Sequence, residues 1–135
     1  LDARTVAARL DDPRFRGRAL SALLLDQAFL AGMGNYLRSE VLFEARLRPA
    51  LRPADLTAAQ RRTLAKHLLD VPRRSYATRG IEAAEGMRAD YTARRGAFRF
   101  RVFDREGQPC EDCGTTLVRE EHGTRRLYRC PRCQP

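Results

Sequence analysis

Apolar side chains recur at helical spacing through the first half of the chain and then lose that period. Val6 and Leu10 lie one turn apart after Asp2, whose carboxylate suits an N-cap, and Asp11-Asp12-Pro13 ends the segment, so a short helix through Leu10 is expected. From Arg18 to about Leu30, Leu20, Leu23, Leu24 and Ala28 keep the same period with Leu25 in excess, which predicts a nearly buried helix. Ala31-Gly-Met-Gly-Asn35 interrupts it, because two glycines one residue apart allow a tight backbone turn. Asn35 is then placed to cap a helix to about Ala45, with Tyr36, Leu37, Val41 and Leu42 as its apolar side and Pro49 beyond its end. A further helix starts at a Thr57/Gln60 capping box and runs through Leu64 and Leu68 to Asp70, before Pro72.

The last thirty residues follow a different rule. Cys110-Glu-Asp-Cys113 and Cys130-Pro-Arg-Cys133 are two CxxC knuckles, and such a pair folds four thiolates around one tetrahedral ion, so one structural Zn²⁺ is expected. Two disulfides are the alternative; a chain that opens with no basic-then-apolar leader is expected in the cytoplasm, where disulfides are rare. Neither histidine is needed as a ligand: His67 reads as a helix-surface residue and His122 as part of a turn. Between the knuckles, Thr115 to Arg119 and Arg125 to Arg129 read as the strands of a hairpin with Gly123 supplying a positive φ. Whether Arg125 or Arg126 faces a ligand depends on register, since a slip of one residue exchanges their faces. The fold class is therefore mainly α with a small β zinc ribbon. Its organisation is a helical domain over residues 1–71, a basic connecting segment over 72–105 with a mobile loop within 75–97, and a four-cysteine zinc finger over 106–135.

Charge narrows the partner. With 26 basic against 17 acidic residues the chain carries +9, which points to a polyanion, nucleic acid before a membrane surface. All but one of the basic residues are arginines, a bias that suits bidentate phosphate contacts and that genome base composition also produces. No apolar run exceeds four residues, so no membrane span is expected. The turn before Asn35 adds an anion site, because a helix N-terminus preceded by glycines exposes unpaired N–H groups. On residues alone, the reading ends at a zinc-dependent nucleic-acid-binding domain.

Leu24-Leu-Leu-Asp-Gln-Ala-Phe-Leu-Ala-Gly-Met-Gly-Asn-Tyr-Leu-Arg-Ser-Glu40 resembles the helix-two-turn-helix of the bacterial DNA glycosylases that repair oxidised bases, the formamidopyrimidine-DNA glycosylase/endonuclease VIII family. The terminal CxxC…CxxC resembles that family's zinc finger. Val71-Pro72 followed by Arg73-Arg-Ser-Tyr-Ala-Thr-Arg-Gly80, and Phe98-Arg-Phe-Arg-Val-Phe103, is similar to the endonuclease VIII branch. The resemblance implies the DNA-binding part of a base-excision-repair glycosylase/AP lyase acting on oxidised bases, pyrimidines above all, with double-stranded damaged DNA as partner. It matches Asn35, within the Gly32–Asn35 turn that includes Gly34, to an asparagine that binds a phosphate beside the lesion. Glu40 matches a glutamate associated with that turn, and its spacing lets it orient Arg38, itself a candidate DNA contact. Arg125 matches the zinc-finger arginine assigned to the second elimination step, and Cys110, Cys113, Cys130 and Cys133 match the zinc ligands.

One departure matters. The family's catalysis uses an N-terminal proline amine with an adjacent glutamate and a lysine of the same domain, whereas this sequence opens Leu1-Asp2-Ala3 and its single lysine, Lys66, falls within the last predicted helix. The expectation is a C-terminal half, monomeric, separated from its N-terminal catalytic domain and inactive alone, of a bacterial protein held at the nucleoid through DNA. The competing readings are a stand-alone zinc-ribbon module serving RNA or a transcription complex, and a purely structural fold that meets an acidic protein.

Overall fold

The structure, a computed structural model, describes residues 1–82 and 99–135, with side chains for 1–75 and 99–135. Four helices come first, α1 (Ala3–Leu10), α2 (Leu20–Leu23), α3 (Asn35–Glu44) and α4 (Ala58–Glu82), followed by a two-stranded antiparallel hairpin of β1 (Val118–His122) and β2 (Arg125–Arg129). Mainly α with a small zinc-ribbon hairpin is thus the fold class that the sequence indicated.

Asp2 caps α1 by accepting the Thr5 N–H at 2.8 Å, and Val6 and Leu10 are wholly buried beneath it. At α4, the Gln60 carboxamide accepts the Thr57 N–H at 2.8 Å and Thr57 Oγ1 accepts the Gln60 N–H at 3.1 Å, the reciprocal box expected there. α3 lies in the middle, with everything from Leu37 to Phe43 buried. The main core gathers α1, α2, α3 and α4 around residues such as Leu10, Leu24, Phe29, Leu42 and Leu68, and it takes in Leu127 from the hairpin.

Three helix expectations are corrected. The long helix expected from Arg18 to Leu30 stops after Leu23, because the Asp26 carboxylate accepts the Ala28 N–H at 2.8 Å and turns the chain. Phe29 and Leu30 consequently enter the core while Ala28 stays outside. α3 begins with Asn35 inside it; Gly34, extended at ψ 175°, holds the cap position and Asn35 gives no capping bond. α4 does not stop at Asp70 but runs through Pro72 to Glu82, so the segment expected to be a connector from residue 72 begins as helix. Pro72 removes one ladder hydrogen bond, yet the turn after it is pinned by Tyr36 and Ser75 hydroxyls 2.8 Å apart and by Arg74 to Glu44 at 2.6 Å. The loop expected within 75–97 falls outside the described residues beyond Glu82.

In the hairpin the first strand sits three residues later than expected. His122 pairs with Arg125 across a two-residue turn, so His122 ends a strand instead of lying in the turn. Gly123 does take a positive φ, 65°, at the first turn position, the pattern of a II′ hairpin. A second, small core of Phe43, Val102, Leu117 and Tyr128 closes between α3 and the cysteines.

Candidate nucleic-acid interface and metal centre

Both CxxC knuckles converge. The four Sγ atoms lie within 4.8 Å of one another, with Cys110 to Cys133 at 3.9 Å and Cys113 to Cys130 at 3.4 Å. Zn–S bonds of about 2.3 Å in a tetrahedron set S···S edges near ~3.8 Å, so this cluster fits a zinc site of four thiolates and none of its pairs is a disulfide. Two backbone N–H groups, of Asp112 and Cys133, donate to Cys110 and Cys130 sulfurs at 3.4 Å, partial compensation for thiolate charge. Hydrogen bonds from Thr115 lower the Cys113 thiol to about 6, while burial raises Cys133. Four convergent sulfurs at these separations are the donor set of one structural zinc.

Around it, Asp112 bonds the guanidinium groups of both Arg46 and Arg101, and the same two groups stack on the Phe43 ring, 4.7 and 4.8 Å from its centroid. Arg46 takes a positive φ of 61° to reach this position. Helix α3 and the first knuckle are thereby clamped together.

The hairpin also docks on the start of α3. Asn35 Nδ2 donates to the Arg126 carbonyl at 2.8 Å, and Tyr128 N–H donates to Ser39 Oγ at 3.1 Å. Arg125 shares the strand face of Leu127, which enters the main core, and Arg126 shares that of Tyr128, which packs with Phe43 of α3 in the second core. Of the two arginines, Arg125 is the one whose charge reaches Arg38 at the start of α3. Arg125 is exposed, and its charge helps push the Arg38 guanidinium down to about 10, although burial is the larger cause.

Arg38 is corrected as a direct DNA contact. It is only 1% exposed, donating to Ser21 C=O at 2.7 Å, to Asn35 Oδ1 at 2.6 Å and to Arg126 C=O at 3.2 Å. Its role is to hold Asn35 and the hairpin. Glu40 does not orient Arg38 either. Wholly buried, it accepts backbone N–H groups of Arg101, Val102 and Phe103 at 2.7, 2.9 and 2.8 Å, and burial raises its carboxyl against the opposing pull of those three donors. No periodicity in the sequence signals this staple, since its partner is backbone sixty residues away.

The start of α3 and the hairpin meet at one corner. On one side is the start of α3, whose backbone ladder opens with Arg38 N–H donating to Gly34 C=O at 3.0 Å. On the other stands the Arg125 guanidinium. Gly32, at φ 86°, permits the turn and has open space where a Cβ would project. The α3 N-terminus, with its helix dipole, and the exposed Arg125 cation both bring positive potential to this corner. His67 proves half-buried beside Glu44, a departure from the surface position expected for it.

Among the described residues no helix is long and apolar enough to cross a membrane. Comparison with known proteins supplies the context. Residues 2–85 match the formamidopyrimidine-DNA glycosylase H2TH domain, and residues 107–135 match the zinc finger found in FPG and IleRS. The chain is 50% identical over 139 aligned positions to endonuclease 8 of Salmonella arizonae, covering 99% of this chain and 50% of that protein. It superposes on the MutM (Fpg) protein of Thermus thermophilus with TM-score 0.77 at 29% identity, over 98% of this chain and 49% of the other. On the Lactococcus lactis Fpg complexed with DNA containing an abasic site the TM-score is 0.78 at 20% identity, over 99% and 47%. The chain spans about half the length of the curated relatives it matches. By its H2TH domain and its zinc finger, it belongs to the formamidopyrimidine-DNA glycosylase/endonuclease VIII family.

Proposed function

We infer that these residues are the DNA-gripping part of a base-excision-repair glycosylase/AP lyase for oxidised bases, pyrimidines above all. The carrying observation is the corner where the α3 N-terminus meets the exposed, positively charged Arg125, locked by the Asn35 bond to the Arg126 carbonyl. One backbone phosphate of damaged duplex DNA seats there. The Asn35 carboxamide shapes the corner, and its other end is held by Arg38. Arg125 then serves both the grip and, in the intact enzyme, the elimination step that the family resemblance assigns to it. The covalent glycosylase/lyase route requires an amine nucleophile to form a Schiff base, and none of the residues in this corner supplies one. The unit acts as a monomer on the bacterial nucleoid. Its division into a helical domain, a basic connector and a zinc finger serves the grip, with the two ends fixed as one platform.

Fluorescence anisotropy with a duplex carrying a tetrahydrofuran abasic analogue, over a series of salt concentrations, tests this. Binding is expected to fall steeply with salt, and Arg125→Ala is expected to weaken it about tenfold and reduce the log–log salt slope by about 1. Arg126→Ala, on the opposite strand face, is expected to change it much less. Salt-independent binding, or equal losses in the two variants, rejects the reading.

A further inference from the structure

A second surface lies away from the Arg125 corner, between α1 and α4. There Ala3 and Ala7 of α1 and the aliphatic stems of Arg62 and Lys66 of α4 floor a groove of about 360 Å³, with Arg4 beside it. It continues past Lys66 into a wider cleft that includes Arg73. Residues 62, 66 and 73 recur at helical spacing on the α4 face opposite buried Leu64, Leu68 and Val71, so their charges form a stripe along the groove.

These cations differ from many others among the described residues. Arg18, Arg46, Arg52, Arg74, Arg101 and Arg129 are each paired with a carboxylate. Arg4, Arg62, Lys66 and Arg73 have no carboxylate partner among the described residues. The two acids nearest them are already engaged: Asp2 caps α1 through Thr5, and Asp70 bonds Arg74 at 3.0 Å. The result is a largely apolar floor under Arg4, Arg62 and Lys66, with no acid lining the groove itself and Asp2 and Asp70 entering only in the wider cleft. A phosphate track needs the rim and makes no use of the floor. Carboxylates flanking an apolar side chain use both.

The geometry points to a docking site for an acidic peptide segment of a partner protein, its apolar side chain on Ala3 and Ala7 and its carboxylates on Arg4, Arg62 and Lys66. The site is separate from the phosphate corner, so the chain holds DNA and a protein partner together.

The test uses a fluorescein-labelled octapeptide of alternating aspartate and leucine at about 0.15 M salt, where screening suppresses long-range attraction. The double variant Arg62→Glu/Lys66→Glu is expected to bind it at least about tenfold more weakly, while Arg16→Glu/Arg48→Glu, the same charge change at exposed arginines outside the groove, stays within about twofold. A second octapeptide with serine for leucine is expected to bind about fivefold more weakly to the unaltered protein. An abasic duplex is titrated in parallel, and its affinity for the Arg62→Glu/Lys66→Glu variant is expected to fall much less than that of the peptide. Equal losses in the two double variants, equal binding of the serine peptide, or a matching loss of duplex affinity each overturns the proposal, the last by making the groove a nucleic-acid track.

Discussion

Residues 3–71 and residues 107–135 reach order by different routes. In the helical part, buried leucines, valines and phenylalanines from four elements close a core to which the hairpin adds only Leu127. The hairpin's own core is a few side chains, two of them zinc ligands, and it borrows Phe43 from α3. Apolar burial of about 25 cal/mol per Å² organises the first part, while in the second the metal supplies what so small a core cannot. The corner proposed to seat a phosphate lies at the seam between them. A site assembled from both regions is only as rigid as the contacts that join them, which are Leu127 in the main core, Phe43 in the zinc-side core and a set of polar bonds: Asn35 and Arg38 to the Arg126 carbonyl, Ser39 to Tyr128, and Gln134 Nε2 to Leu47 C=O at 2.9 Å.

Metal removal separates the two regions most strongly. Zinc binding to isolated fingers is worth about 10–16 kcal/mol at neutral pH, far more than this hairpin gains by packing. Chelation is expected to abolish amide-exchange protection over 107–135 and to loosen 99–105, while α1 and the first half of α4 stay protected. Protection retained in the hairpin, or lost uniformly from all helices, contradicts the division of labour. Loss of duplex affinity in step with the hairpin is also expected, since Arg125 goes with it.

Next in size is the Glu40 staple. Glu40→Ala leaves three N–H groups of residues 101–103 without their acceptor, and each buried unpaired donor costs about 1–3 kcal/mol, so a loss of about 3–5 kcal/mol is expected in denaturant unfolding. Val102 and Phe103 pack against the zinc-side core. The variant is therefore expected to hold zinc less tightly as well, which chelator competition measures. An unchanged zinc affinity would detach the staple from the seam.

Removing the α4 cap is milder and confined to the helical side. Thr57→Ala deletes the bond to the Gln60 N–H and is expected to cost about 1 kcal/mol with no change in zinc or duplex affinity. An effect on either ligand would show that the regions are coupled beyond their shared seam.

The sequence announces local features better than the seam. Asp2, the Thr57/Gln60 box, the Gly123 turn and the cysteine knuckles each act through neighbours within a few residues, and each is where its spacing says. The break after Leu23 is hidden because a helical period and a run of tight turns bury the same leucines, Leu20, Leu23 and Leu24, and only the Asp26 carboxylate distinguishes them. Pro72 reads as a stop, but contacts of Tyr36 and Glu44 with the following turn outweigh one missing bond. Burial of Arg38 and Glu40 depends on carbonyls and amides contributed by Ser21, Arg126 and residues 101–103, for which a one-dimensional pattern carries no mark.

The smallest expected effect concerns pH and lies wholly in the helical region. His67 on α4 faces Glu44 of α3, with Asp70, Arg74 and Lys66 near it. Its Nδ1 is 3.6 Å from Glu44 Oε1, too long for a hydrogen bond, so burial prevails over the nearby carboxylates and holds the imidazole below its ordinary value of 6.5. A histidine with a depressed folded-state value binds a proton more readily when unfolded. Its contribution is fully present above about 6.5 and declines as pH falls from there through the folded-state value. Thermal unfolding of the zinc-loaded protein between about pH 7 and 5 is expected to show this decline, and His67→Gln, which cannot take up a proton, is expected to flatten it. The difference between the two profiles isolates His67 from the carboxylates that titrate lower, and a Gln variant with the full decline would move the pH dependence from α4 to the zinc side of the molecule.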